Sequence, residues 1–252
     1  MANREQAERQ RLQSEGLVLR ERTAGENDRL VTLLTKEYGV LRAFARGARK
    51  AGSNQQSATQ LFCFGKYELT RWQETYRVAE VSPTELFFGL RGQVERVALA
   101  EYFCELAEEL APQEEPAPEQ LRLLLNAFHF LAGGRRPQPL LKAAVELRLM
   151  ALAGYRPDLE EDGPVGGVQY LDCAAGTLTQ RQGTYTAALA PGILEALRFL
   201  CTAELSKLFH FTMSDQGLRA LSAVTGTYIR CQLGKQFATL RFYEGLGGSK
   251  VF

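Results

Sequence analysis

Segment 41–50, LRAFARGARK, carries the residue types and spacing best suited to chemistry in this chain. Its cations Arg42, Arg46, Arg49 and Lys50 are interleaved with Leu41, Phe44 and Ala45. A strand there sets the apolar side chains on one face and the charges on the other. Lysine and arginine on a wet face neutralise phosphates, which gives salt-dependent affinity without reading sequence. Arg22, Arg29, Lys36 and Arg71 add cations nearby in the sequence, and Trp72 and Tyr76 flank a presumed hairpin tip at Gln73–Thr75. Exposed aromatics at such tips stack unpaired bases, for roughly 1–3 kcal/mol per base. Packing of the two rings against the rest of the chain has equal support, because tryptophan is usually mostly buried.

Other chemistries find little here. His129 and His210 are far apart and make a poor metal or catalytic set. Segment 163–167 is glycine-rich but lacks the Lys-Ser/Thr of a phosphate-binding loop. Glu160, Glu161 and Asp162 are adjacent on a turn, where neighbouring acids point apart. Cys63, Cys104, Cys173, Cys201 and Cys231 are dispersed, which fits free thiols in a reducing compartment. We therefore expect no catalytic residues, no metal and no cofactor. The N-terminus lacks the apolar stretch of a signal peptide, and no run approaches the roughly 18 apolar residues of a membrane span. A cytoplasmic protein with no membrane partner is expected.

The elements that position the cations follow from periodicity. Alternating runs at 17–22, 29–34 and 40–45 are separated by Gly25, Asn27 and Asp28, then by Gly39. Two more, at 65–72 and 76–81, follow a polar loop. Five strands with a long connection before the fourth match an OB barrel, or an SH3-like barrel of equal strand count. Beyond Pro83 the period changes to helical, with helices predicted at about 93–110, 119–132, 138–153, 192–202 and 215–233, the last capped by Ser214. The fold class is α+β, with a barrel domain over 1–82 and a helical bundle over 83–252. Residues 1–15 read as a polar extension, a frayed helix or tail. Segment 111–118, APQEEPAP, reads as a stop between helices.

Charge is divided along the chain. Residues 17–77 hold eleven bases and six acids, whereas 81–162 hold fourteen acids and eight bases. A basic front and an acidic middle fit a nucleic-acid module joined to a protein-binding one.

The order of these features resembles the RecO family of recombination mediators. The resemblance rests on Gly25-Glu26-Asn27-Asp28-Arg29-Leu30, Leu33-Leu34-Thr35, Gly39 and Arg46-Gly47-Ala48-Arg49-Lys50, with Leu233-Gly234-Lys235 and Thr239-Leu240-Arg241-Phe242 at the far end. It spans nearly the whole chain. It implies binding and annealing of single-stranded DNA, contacts with double-stranded DNA, and help in loading RecA within the RecF pathway. The partners it implies are RecR, the single-strand binding protein and, indirectly, the RecA filament, in a nucleoid-associated setting. Many relatives carry two CxxC pairs that hold zinc in the insert spanning 155–185. Here the first pair falls on Asp162 and Val165 and the second near Gln180 and Gly183, so the insert is expected to be zinc-finger-like without ligands. Tyr170, Leu171 and Leu178 would then form its small core. The resemblance also implies capture of the acidic, Phe-ended tail of the single-strand binding protein on the helical half. Arg122, Lys142 and Arg148 are the expected cations for it, with Phe130, Leu141 and Leu149 lining its pocket. An RNA-binding OB protein and a protein–protein adaptor are the alternatives.

Overall fold

The computed structural model describes residues 11–160 and 168–248. By contacts the chain divides into two units, Met1–Ala132 and Gly133–Phe252.

The first unit contains five strands: β1 (Arg11–Ala24), β2 (Asp28–Thr35), β3 (Gly39–Ala45), β4 (Phe64–Trp72) and β5 (Thr75–Glu85). They close a barrel in the order β1-β2-β3-β5-β4, and β3 and β5 pair in parallel. This is the OB arrangement, which decides between the two barrels compatible with strand count. Alternation dictates the interior. Val18, Val31, Leu33, Leu41, Ala43, Ala45, Tyr67, Leu69 and Val78 point inward and are buried. Tyr67 is buried in this core together with small Ala43 and Ala45, and its hydroxyl donates to the Ala58 carbonyl at 2.8 Å. That carbonyl ends a short helix, α1 (Gln55–Ala58), in the long connection before β4.

β1 begins earlier than its periodicity indicates. Residues 1–10 lie outside the described residues, and Arg11–Glu15, read from sequence as the end of a tail, form the first part of β1. They pair with β4, Arg11 opposite Thr70 and Glu15 opposite Lys66. Their polar composition hid the strand: only Leu12 and Ser14 turn inward, and Ser14 is buried by bonding Glu37.

After a 3-10 turn at Phe88–Gly92 come α2 (Val94–Leu110) and α3 (Pro118–Gly133). α2 packs on β1, and Arg20 reaches Glu108 at 2.8 Å. The stop between these helices does more than end one. The Pro112 carbonyl accepts from Val40 N at 2.9 Å, and Ala117 N donates to the Lys36 carbonyl at 2.9 Å. This strap crosses the β2–β3 turn at Gly39, whose φ is +58°. A Cβ there would lie 2.1 Å from the Pro112 oxygen and 2.5 Å from that of Glu115. Gly39→Ala should therefore destabilise the first unit by about 3 kcal/mol, through left-handed strain and overpacking together. Urea unfolding followed by the emission of Trp72 checks this, and an unchanged midpoint would refute the close approach.

The second unit packs α4 (Gln138–Leu152), α5 (Pro191–Thr202) and α6 (Asp215–Leu233) against one another, followed by α7 (Ala238–Gly248). The side chain of Ser214 caps α6 as expected, accepting from Gly217 N at 3.2 Å. The insert forms a three-stranded sheet of β6 (Gln169–Asp172), β7 (Thr177–Thr179) and β8 (Thr186–Leu189), in the order β7-β6-β8. Leu171 is buried in it, while Tyr170 and Leu178 are half-buried. Gln232 of α6 tethers this sheet by donating to the Cys173 and Ala174 carbonyls at 2.9 and 3.0 Å.

Candidate nucleic-acid interface

The cations around β3 are positioned by alternation and by one turn. Arg42 and Phe44 point outward between buried Leu41, Ala43 and Ala45. Beyond Ala45 the chain folds back onto the β1–β2 turn: Gly47 N donates to the Asp28 carboxylate at 2.8 Å and Arg49 N to the Asn27 carbonyl at 2.9 Å. Ala48 is thereby buried, and Arg46, Arg49 and Lys50 are held beside residues 25–28. Arg22, Arg42, Arg46 and Lys50 are exposed, with no ion pair among the described residues. Their guanidinium and ammonium groups are available to an anion.

Three other sequence candidates have different positions. Arg29 is only partly exposed. It pairs with Glu21 at 3.1 Å and donates to the Gln56 carbonyl at 3.0 Å and the Thr59 hydroxyl at 2.9 Å. It clamps the long connection to the barrel and has little left for DNA. Arg49 spends its guanidinium on the Gly25 and Glu26 carbonyls at 3.3 and 3.0 Å, so it shapes the turn while remaining exposed. Lys36 sits at the far end of β2 between Glu15 at 3.9 Å and Glu37 at 3.7 Å. Seven residues of strand, roughly 23 Å, separate it from Arg29.

The aromatic pair also divides. Tyr76 is buried, 6% exposed, and its hydroxyl donates to Glu114 of the strap at 3.3 Å. Burial raises its pKa, and Glu114 raises it further. It is core, and no base can reach its ring face. The Arg71 guanidinium lies 5.9 Å from its centroid. Trp72 is half-buried on the outer face, edge-to-face with Phe44 at 5.3 Å and 85°. The Arg77 guanidinium lies 4.0 Å over the indole. The expected separation of Leu41, Phe44 and Ala45 from the charges is corrected for Phe44, which shares the outer face with Arg42 because strand parity and not polarity sets its side, and sequence reading missed Phe44 and Arg77 as companions of Trp72. The signal was present in their outward parity, but the pairing of β3 with β5 is non-local.

The surface expected for an acidic peptide is corrected by the second unit. Lys142 is 2% exposed and pairs with the fully buried Glu146 at 2.7 Å. Leu141 and Leu149 are wholly buried among the helices, so none of the three can line a surface pocket. The helix α4 is buried nearly all round, which its mixed sequence concealed. Arg148 turns inward to the Ala203 carbonyl. Arg122 is exposed and Phe130 half-buried on α3.

Metal and nucleophilic chemistry gain no residues among those described. Burial pushes the Cys63 and Cys201 thiols up to about 11 and that of Cys173 up to about 12, away from the thiolate form a nucleophile needs. No cluster of three metal-ligating side chains occurs among the described residues. Asp162 and Val165 lie outside those residues, and Gln180 and Gly183 carry no ligand that suits zinc. The donor set does not fit a four-cysteine zinc site. Elemental analysis of the purified chain should find less than about 0.1 zinc per chain, and chelators should leave its melting temperature unchanged. One zinc per chain would contradict this. No helix among the described residues is long and apolar enough to cross a membrane.

Two family models match the chain: Recombination protein O N terminal over residues 10–87, and Recombination protein O C terminal over residues 91–241. The chain is 27% identical over 245 residues to a DNA repair protein RecO of Acetivibrio thermocellus, covering 93% of this chain and 97% of that protein. It is 29% identical over 248 residues to one of Symbiobacterium thermophilum, covering 94% and 98%. It is 31% identical over 255 residues to one of Heliobacterium modesticaldum, covering 94% and 90%.

Proposed function

The chain belongs to the RecO family of DNA repair proteins, and on that premise we propose that it is a non-catalytic recombination mediator whose barrel holds DNA by its phosphates. The reading is carried by one observation: Arg42 stands exposed on the outer face of β3 beside the Phe44 ring, and Arg46 stands exposed in the turn that follows the strand. Phosphate contacts of this kind serve single and double strands alike and do not specify sequence. A protein that holds strands without reading them can bring complements together. Annealing of single strands, and help in loading RecA onto DNA coated by the single-strand binding protein, follow as its tasks in the RecF pathway, in a cytoplasmic, nucleoid-associated setting. RecR and the tail of the single-strand binding protein are the proposed protein partners. Arg122 on α3 is an exposed cation available to an acidic tail.

The test is fluorescence annealing of complementary strands coated with the single-strand binding protein. Stoichiometric chain should accelerate pairing well above the spontaneous rate, and more so at low salt. Pairing no faster than without the chain would remove the mediator reading.

A further inference from the structure

A ladder of three side chains crosses the outer face of the barrel. Phe44 on β3 is directly opposite Arg77 on β5, and Arg77 is opposite Thr70 on β4, two residues from Trp72. The Arg77 guanidinium carbon sits over the indole, 4.0 Å from its centroid, and Phe44 props the indole edge-on. The Arg77 Nε is buried and has no hydrogen-bond partner among the described residues. An arginine held only for a structural ion pair would give that nitrogen to a carboxylate or carbonyl. Here the ring is the principal partner, so the cation is spent on holding a stack in place. Exposed Arg42 shares the outer face of β3 with Phe44, and exposed Arg46 begins the turn after it.

We propose that the Trp72–Arg77 stack, propped by Phe44, is a platform for unpaired nucleobases and gives the chain its preference for single strands over duplex. The inference rests on the DNA-binding reading above and adds the discrimination that reading lacks. Phosphates are offered by both forms of DNA, whereas only an unpaired base has a free π-face to lay on an aromatic or guanidinium plane. Arg77 is a positioning residue that fixes the indole. A lysine would keep the charge and lose the plane.

Trp72 is the only tryptophan of the 252-residue chain, so its emission reports this site alone. The experiment titrates the full chain with end-labelled oligothymidylate and with a duplex of equal length, following label anisotropy and tryptophan emission together. Oligothymidylate should quench the emission with the same midpoint as the anisotropy change, while duplex should bind without comparable quenching. Arg77→Lys and Trp72→Ala should each weaken single-strand binding about 5- to 150-fold with little change for duplex. Trp72→Phe, which keeps a ring, should retain most of the affinity and guards against loss through misfolding. Single-strand binding without a change in emission, or Arg77→Lys indistinguishable from wild type, would overturn the platform while leaving phosphate binding intact. Absence of binding to either DNA would overturn both.

Discussion

Replacing Arg42, Arg46 and Lys50 together by glutamate should lower affinity for single-stranded DNA about 100-fold at 0.1 M salt, equally for all sequences. Each phosphate neutralised on a single strand adds about 0.7 to the slope of log affinity against log salt, or roughly a factor of five at 0.1 M. Loss of three such contacts gives the factor of about 100, and charge reversal adds repulsion. The slope itself should fall by about 2. These three residues are exposed and make no ion pair among the described residues, so their replacement leaves the barrel core untouched. Arg49 is omitted because its bonds to the Gly25 and Glu26 carbonyls shape the turn, and its loss would confound charge with conformation. Anisotropy titrations at four salt concentrations measure both quantities. A variant with the wild-type slope would show that phosphates are held elsewhere.

The other large effect is expected in the second unit. Glu146→Leu should cost about 3–5 kcal/mol, because it strands the Lys142 ammonium inside the helices. That ammonium is held by Glu146 at 2.7 Å and by the Ser222 carbonyl at 3.0 Å. Glu146 also accepts from the Thr225 hydroxyl at 2.6 Å. Gly226 makes the approach possible: a Cβ there would lie 3.0 Å from the lysine nitrogen. Lys142→Met combined with Glu146→Leu removes both charges and fills the volume with apolar groups, so most of the lost stability should return. Urea unfolding followed by far-ultraviolet circular dichroism reports the helices. A double variant no more stable than the single one would mean that packing, not the orphaned charge, sets the cost.

The barrel was legible because period-2 alternation in 17–22, 29–34 and 40–45 records burial directly, and Gly39 marks the turn. Helix limits were equally plain where Gly133, Gly134 and Ser214 punctuate the chain. What escaped has a physical reason in each case. Arg11–Glu15 is a polar strand, paired through its backbone, with only Leu12 and Ser14 facing inward. α7 is short, with glycines near its end, and its helical period is brief. At the site, cations could be found by type but not sorted by task. Arg42 and Arg29 look alike in sequence; burial against Glu21, Gln56 and Thr59 makes one structural. Lys142 read as a surface cation because its ion-pair partner, one turn away, gives no sign of being buried. Tyr76 and Trp72 lie four residues apart near the same tip, yet opposite strand parity sends one to the core and one to the outer face.

The most direct measurement is a map of the DNA on the protein. An oligonucleotide bearing iodouracil, cross-linked to the full chain by light and digested, should yield adducts on peptides covering residues 40–50 and 70–78. Adducts confined to Gly133–Phe252, or to the far ends of β4 and β5 around Gln13, Lys66 and Glu80, would contradict a DNA site beside β3 and the β4–β5 tip.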